Sequence, residues 1–210
     1  GATKAKNLWA AGEAGCQSLH GANRLGCNST AECLVWGKIT GAHAAEYSAN
    51  HGDAIKLSEA QLQDEDKRIE ALRKREGDEN LYSIRADLWR TMDQGVGVYR
   101  TAEDLQQALD RIKQLQERAL RAPVKDRSRT YNTDLTAAFE LGFVLEIAEA
   151  MVAGALARQE SRGGHARRDF PARDDENWLK HTLAFRTPDG PRLDYSEVTI
   201  TTWKPVERKY

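Results

Sequence analysis

The 210-residue sequence has no segment that predicts a membrane anchor or an export signal. No apolar run approaches the roughly 20 residues that a membrane-spanning helix needs. No basic segment followed by an apolar core stands at the N-terminus, so we predict no signal peptide. The sequence contains only three cysteines, and an odd number without an export signal favours reduced thiols in a cytoplasmic protein.

The sequence also has no metal-binding motif. Cys16, Cys27 and Cys33 lie close together along the chain but form no Cys-x-x-Cys pair. A zinc or iron–sulfur site needs a fourth ligand at suitable spacing, and His20 is the only other candidate nearby. We therefore predict no metal site and three small, mostly buried thiols.

Neither sign of charge dominates the chain. The 31 basic and 32 acidic residues give a net charge of −1, so no overall field attracts nucleic acid. Aromatic residues do not alternate with the basic ones, as they would on many nucleic-acid-binding surfaces. With 30% charged and 40% hydrophobic residues, the composition is that of a globular protein without a nucleic-acid partner.

The segment Asn7–Lys38 predicts a short buried strand, a glycine-rich loop and a helix that opens near Ser29. The strand is expected to end at Gly12 and Glu13. Further along, the loop places the guanidinium of Arg24 among small residues. Such a loop allows the backbone to approach a flat or anionic ligand, and a guanidinium binds a carboxylate through two parallel hydrogen bonds.

Helical patterns follow over the middle of the chain. Ser58 and Gln61 form a capping box ahead of a polar helix that extends to about Glu76. Thr101 is placed to cap a later helix whose apolar residues form a single stripe. Two further helices are predicted over Leu81–Tyr99 and Thr133–Arg158.

The last of these helices is the most apolar. Its apolar residues recur at a spacing of four: Leu135, Phe139, Phe143, Ile147 and Met151. Because apolar residues occur on several sides, we expect this helix at the centre of a bundle. Short connections to the two preceding helices predict a three-helix, spectrin-repeat-like bundle with antiparallel neighbours.

The pattern becomes extended near the C-terminus. The segment Asn177–Phe185 predicts a short turn of helix or a strand, and Pro188–Pro191 is a turn signal. Alternating β-branched residues over Leu193–Thr202 predict a strand. The fold is therefore mainly α, and three parts are expected: residues 1–52, 53–160 and 161–210.

Two motifs carry a resemblance to a known family. The first is HGANRLGCNS at residues 20–29, and the second is ESRGGHARRDFPARDD at residues 160–175. Both resemble the flavoprotein subunits of succinate dehydrogenase and fumarate reductase. Three positions depart from the family pattern: Cys27 stands where Gly, Ala or Ser is usual, Thr30 replaces Leu, and Gly164 replaces Ala.

The resemblance extends over nearly the whole chain but implies only the C-terminal third of such a subunit. Residues 1–52 would be the strand–loop–helix end of an FAD-binding domain, followed by the helical bundle domain and an extended tail. The dinucleotide fold, the histidine that holds FAD covalently and the mobile capping domain are not in this sequence. We therefore expect the chain alone not to turn over substrate.

The resemblance implies roles for several residues in and beside the first motif. Arg24 would bind a carboxylate of a four-carbon dicarboxylate, with Cys27 beside that site. His20 would be either a further substrate or flavin contact, or a structural hydrogen-bonding residue. Contacts to FAD are implied for Glu13, through the ribityl hydroxyls, and for the helix opening at Asn28, Ser29 and Thr30, through the N1/C2 edge of the ring.

In the second motif, basic and acidic residues are dense and balanced. Arg162, Arg167, Arg168 and Arg173 stand among Glu160, Asp169, Asp174 and Asp175. We predict an ion-pair network that folds the tail back onto the flavin domain, in preference to a catalytic pair of carboxylates.

The implied function is the interconversion of succinate and fumarate on FAD. Electrons would pass through an iron–sulfur subunit to a membrane quinone, and the remaining flavoprotein segment would be a further partner. The protein would be cytoplasmic and would meet the inner face of the membrane only through partner subunits. Two alternatives stay open: a fragment of an L-aspartate oxidase, which shares both motifs, and a non-catalytic helical docking module. The ending, Asn177–Thr182 followed by Leu193–Tyr210, resembles the dehydrogenase and reductase branch.

Overall fold

The computed structural model describes residues 1–51 and 58–206. The chain divides into two compact units, Gly1–Leu62 and Gln63–Tyr210, which are described separately. The predicted division into residues 1–52, 53–160 and 161–210 stays a prediction. The predicted boundary itself, between residues 52 and 53, lies outside the described residues.

The first unit is built around one long helix, α1 (Asn28–Asn50), which begins where the sequence predicts. The predicted strand before it is not formed. Only Trp9 pairs there, in a single antiparallel bridge with Ala2, and Asn7 has a φ of 63° that interrupts the extended backbone. A short 3-10 helix, Glu13–Gly15, follows.

Aromatic packing holds the N-terminal segment against the second half of α1. The ring of Trp9 contacts Tyr47 edge to face at 5.0 Å, and Tyr47 stacks on His51 at 4.0 Å. The Tyr47 hydroxyl also donates to Asn7 Oδ1 at 2.9 Å. These contacts fix the segment that leads into the loop of the first motif.

Five further helices follow: α2 (Glu59–Lys74), α3 (Leu81–Gly95), α4 (Ala102–Ala119), α5 (Thr133–Ala157) and α6 (Asp175–Trp178). The caps predicted at Ser58 and Thr101 are formed, and Asn80 and Asn132 cap two further helices. The Asn80 and Thr101 side chains accept hydrogen bonds from backbone N–H groups of the first turn of α3 and α4. Ser58 accepts from Gln61 N at 3.4 Å, and Asn132 accepts from Leu135 N at the start of α5.

Helices α3, α4 and α5 form the bundle, so the mainly α prediction is confirmed. Helix α3 ends four residues before the predicted end at Tyr99. Gly95 there lies against α4, where an added Cβ would meet the Ala108 Cβ at 2.8 Å. Each fully buried Leu or Ile stabilises the bundle by roughly 1.5–3 kcal/mol. The largest buried apolar residues are Ile84, Leu88, Leu105, Ile112, Leu115, Leu141, Leu145 and Val152.

The buried face of α5 is not the one that its spacing of four suggests. Phe143, Ile147 and Met151 are 56%, 59% and 55% exposed. The face toward α3 and α4 is instead formed by residues such as Leu141 and Leu145. Because α5 is apolar on several sides, its own pattern cannot specify which side the neighbouring helices cover.

Two small sheets complete the second unit. Strand β1 (Tyr99–Arg100) pairs in parallel with β2 (Ala166–Arg167), and β3 (Lys180–Thr187) pairs in antiparallel with β4 (Gly190–Glu197). The predicted strand at Leu193–Thr202 therefore begins and ends earlier. The hairpin packs on α5, and the turn at 188–189 brings Gly190 close to Glu149.

Gly190 occupies a position that suits only glycine. Its φ is 107°, and an added Cβ would lie 2.9 Å from Glu149 Oε1. Glu149 is itself buried on α5 and accepts a hydrogen bond from Gln116 Nε2 at 2.7 Å.

In the part of the chain that the structure describes, no helix is both long and apolar enough to cross a membrane.

Candidate functional site

The first motif brings Glu13, Arg24 and Ser29 together. The Ser29 hydroxyl donates to Glu13 Oε1 at 2.5 Å, and Arg24 Nη2 lies 3.5 Å from the same oxygen. Both charged side chains are largely exposed, so their ion pair is weak and leaves them able to bind another partner. The structure thus presents a carboxylate and a guanidinium at one surface of the loop.

This cluster lies at the N-terminus of α1. Cys27 occupies the N-cap position with a φ of 65°, and no side chain caps the helix there. The Ser29 hydroxyl donates to Glu13 and does not cap the helix. The N-terminus of a helix carries about half a unit of positive charge, which favours a negatively charged group nearby. Asn28 and Thr30 lie in this first turn.

His20 lies in a different pair. Its Nε2 is 2.6 Å from Glu32 Oε2, and the Glu32 side chain is only 5% exposed. Sequence reasoning missed Glu32, because His20 and Glu32 are twelve positions apart in the sequence. They meet only when the loop folds back onto α1, where Glu32 is the fourth residue after Asn28. A glutamate among small residues early in α1 was the available signal.

The prediction of mostly buried thiols is wrong, since all three cysteines are exposed. Cys16, which follows the 3-10 helix, and Cys27, which precedes α1, both have a left-handed backbone conformation. Cys33 lies on α1 opposite Gly12, where an added Cβ would meet its sulfur at 2.9 Å. The described residues contain no group of three or more His, Cys, Asp or Glu side chains that could hold a metal ion.

The second motif forms the predicted ion-pair network, and the centre of one half is Glu160. This side chain is fully buried and accepts from Arg158 Nη1 at 2.7 Å, Arg162 Nε at 2.8 Å and Asp174 N at 2.8 Å. Burial alone would raise the pKa of Glu160, but these hydrogen bonds lower it overall. Arg162 also binds Asp175, and this contact lowers the pKa of Asp175.

Arg167 is the centre of the other half. Its guanidinium is 1% exposed and binds both carboxylate oxygens of Asp169, at 2.8 and 2.7 Å. Its Nη1 also donates to the backbone carbonyls of Ala155, Leu156 and Arg158 at the end of α5. The side chain therefore serves as the C-terminal cap of the longest helix in the second unit. It also lowers the pKa of Asp169 strongly.

His165 joins the network to β1. Arg100 Nη1 donates to His165 Nδ1 at 2.7 Å, and His165 Nε2 lies 3.2 Å from the Arg158 carbonyl oxygen. An arginine can only donate, so Nδ1 is the acceptor and the ring proton lies on Nε2. Burial, followed by the nearby arginines, lowers the pKa of His165 and keeps it neutral. The sequence did not predict the roles of Arg100 and Arg158, which lie outside the second motif.

The network lies within the second unit, where it connects the tail to β1 and to the end of α5. Its predicted extension onto a flavin domain stays a prediction. Its two central carboxylates, Glu160 and Asp169, are already bound by arginines and backbone N–H groups. An arrangement of this kind stabilises a fold and offers no free acid or base for chemistry, which leaves the first motif as the candidate site.

Comparison with known proteins agrees with both motifs. The family model described as fumarate reductase flavoprotein C-term matches residues 85–210. The fumarate reductase flavoprotein subunit of Serratia sp. is 46% identical over 99% of this chain and 36% of its own length. The succinate dehydrogenase flavoprotein subunit of Rickettsia conorii is 38% identical over 98% of this chain and 36% of its own.

A solved structure gives the same result. Quinol fumarate reductase FrdA of E. coli superposes with a TM-score of 0.90 at 45% identity, over 95% of this chain and 35% of that chain. The chain thus spans about a third of the length of the relatives that it matches. On the family model and these similarities, it belongs to the fumarate reductase and succinate dehydrogenase flavoprotein family, of which it represents the C-terminal part.

Proposed function

We propose that this chain is the C-terminal part of an FAD-containing subunit that interconverts succinate and fumarate. The observation that carries the proposal is the surface formed by Glu13, Arg24 and Ser29 at the start of α1. It occurs in a chain that is 46% identical to a fumarate reductase flavoprotein subunit. The activity requires the remaining flavoprotein segment, so the chain alone is not expected to turn over substrate.

Arg24 is the proposed ligand of a substrate carboxylate. Its guanidinium is partly exposed and only loosely paired with Glu13, at 3.5 Å. The planar fork can form two parallel hydrogen bonds with a carboxylate, and a C4 dicarboxylate offers one at each end. Cys27 follows three positions later with an exposed thiol and is proposed to border the same substrate.

The residues of this loop fit the FAD cofactor that the family name implies. The exposed carboxylate of Glu13 can accept hydrogen bonds from ribityl hydroxyls. The N-terminal turn of α1, with Asn28, Ser29 and Thr30, has no side-chain cap, and its partial positive charge suits the N1/C2 edge of the ring. When bound, FAD supplies the hydride chemistry that none of these side chains can provide. The residue that holds FAD covalently is expected outside this chain.

The proposed electron partner is an iron–sulfur subunit that passes electrons to a membrane quinone. The name of the solved E. coli relative, a quinol fumarate reductase, supports this chemistry. In that arrangement the flavoprotein would be cytoplasmic and would lie at the inner face of the membrane through its partner subunits.

The test is to replace Arg24 in the complete flavoprotein assembled with its partner subunits. Loss of one partner from a desolvated charge pair costs about 2–5 kcal/mol. We therefore expect Arg24→Gln to lower kcat/KM for succinate at least about 30-fold, on the basis that 1.4 kcal/mol is a factor of ten. Arg192→Gln, at an exposed site on the hairpin, is the matched control and should have no effect.

Three outcomes of this test are informative. A near-normal kcat/KM for Arg24→Gln would contradict the assigned role. Oxidation of L-aspartate in place of succinate by the unmodified enzyme would replace the proposal with the L-aspartate oxidase alternative. Neither activity in a flavin-loaded enzyme would favour a docking module.

A further inference from the structure

His20 and Glu32 attach the start of the Arg24 loop to helix α1. The distance between His20 Nε2 and Glu32 Oε2 is 2.6 Å, which is a short, charge-assisted contact. The Glu32 side chain is 5% exposed and the His20 side chain 25% exposed, so water competes little for the bond. Glu32 lies on a rigid helical turn, which makes it a fixed point for the more irregular loop.

The other end of the loop continues into α1 at Asn28, and Glu13, which precedes the loop, is attached to the same helix. Glu13 accepts from Ser29 and lies 3.5 Å from Arg24. Ser29 and Glu32 are three positions apart on α1, so their side chains lie on one face of the helix. Arg24 is therefore held between two attachment points on that face.

Between these points the loop has little other support. Residues 21–27 are exposed throughout, and added Cβ atoms at Gly21 and Gly26 would meet no atom within 4 Å. Gly21 directly follows His20 and has a φ of 60°, a conformation in which the backbone turns sharply. The position of the Arg24 guanidinium thus depends on where His20 is held.

From this geometry we infer that His20 and Glu32 are a positioning pair that sets the Arg24 guanidinium for dicarboxylate binding. The inference rests on the proposed function and adds two residues that do not themselves contact substrate. A loop held in its binding geometry saves the cost of ordering it when the ligand arrives. Release of the loop should therefore weaken substrate binding more than it slows the chemical step.

The test uses the complete flavoprotein with its partner subunits and three variants. Glu32→Leu removes the bond, Glu32→Gln retains a polar partner of the same size, and His20→Leu removes the bond from the other side. Glu46→Gln is the matched control, because Glu46 is an exposed glutamate on the same helix. The first measurement is the dissociation constant of malonate, a dicarboxylate that cannot be dehydrogenated, from the absorbance change of bound flavin.

We expect Glu32→Leu and His20→Leu each to raise the malonate dissociation constant and the KM for succinate about 10- to 100-fold. The kcat should fall by less, Glu32→Gln should recover part of the affinity, and Glu46→Gln should match the unmodified enzyme. The double variant His20→Leu/Glu32→Leu should be no worse than either single variant, because both remove one bond. Constants are measured per flavin, so loss of cofactor does not imitate loss of affinity.

Two results overturn the inference. One is an unchanged malonate constant and KM in the flavin-loaded Glu32→Leu enzyme while Arg24→Gln abolishes binding. The other is an additive double variant, which would mean that the residues act independently. If Arg24→Gln itself leaves malonate binding unchanged, the proposed function fails along with the inference, so the two failures are distinguishable.

Discussion

Replacement of Arg167 tests whether the ion-pair network stabilises the second unit. The side chain is 1% exposed and forms five hydrogen bonds, two with Asp169 and three with backbone carbonyls at the end of α5. Methionine is similar in length to the arginine stem and fills most of its volume. The variant Arg167→Met therefore removes the charge and the donors while it limits the cavity.

The expected loss follows from what the change leaves behind. Removal of one partner from a buried ion pair costs about 3–5 kcal/mol. Asp169 keeps the hydrogen bond from Ala102 N at 2.9 Å, and its carboxylate is about one-third exposed, so water restores part of the lost interaction. The three carbonyls at the helix end lose about 1 kcal/mol each at most. We expect a net loss of about 3 kcal/mol in the free energy of unfolding.

Urea denaturation followed by circular dichroism measures this loss. With an m-value of about 2 kcal/mol/M, the transition of the helical unit should move down by about 1.5 M. The matched control is Arg186→Met, since Arg186 is 82% exposed and pairs with Glu146 on the surface. That change should cost less than about 0.5 kcal/mol.

A second substitution separates the ion pair from the helix cap. Asp169→Asn should cost much less in the Arg167→Met background than in the unmodified chain, because its ionic partner is already gone. A shift for Arg167→Met no larger than that for Arg186→Met would refute the reasoning. It would mean that the buried guanidinium contributes nothing beyond its volume.

Three further predictions concern pH, the hairpin and the thiol. The pKa values of His165 and Asp169 are lowered by folding, so the unfolded state takes up protons first on acidification. The urea midpoint should therefore fall as pH drops below about 6.5, and again below about 4; a midpoint that rises over this range would contradict the assignment. Gly190→Ala should lower the free energy of unfolding by about 1–3 kcal/mol, because Gly190 has a φ of 107°. Urea denaturation measures this loss, and an unchanged midpoint would show that the turn can adopt another conformation. In the complete enzyme, maleimide labelling of Cys27 should abolish succinate oxidation, and Cys27→Ala should prevent that loss. Full activity after complete labelling, verified by mass, would exclude a thiol beside the substrate.

The helices were predictable because local signals agree with the fold. The Thr101 side chain caps α4 as its sequence position predicts, whereas the Asn80 and Asn132 caps of α3 and α5 were not predicted. The face that α5 buries was not predictable, because its apolar residues surround the helix and the packing of α3 and α4 decides. The absence of the first strand was not predictable either. It follows from the positive φ of Asn7, which no local sequence pattern indicated.

The candidate site was predictable only in part. Arg24 and Glu13 were singled out because the family resemblance implies roles for both, and the two side chains lie close together. Those roles stay predictions. The partner of His20 was not found, because Glu32 is one of two glutamates in α1 and no spacing rule connects it to the loop. The exposure of the cysteines was also missed. Cysteine is on average a buried residue type, but Cys16 and Cys27 lie in turns of the backbone that leave their side chains exposed.

The parallel pairing of β1 with β2 also has a consequence for the order of folding. The contacts of Arg100 with His165 and of Ala102 with Asp169 span 65 and 67 residues of chain. Closure of so long a loop costs conformational entropy. The contacts between the two strands can offset this cost only after α4 and α5 have brought the ends of the loop together. We therefore expect the bundle to form first and the second motif to join it late. Substitutions in that motif should then accelerate unfolding and leave the folding rate almost unchanged.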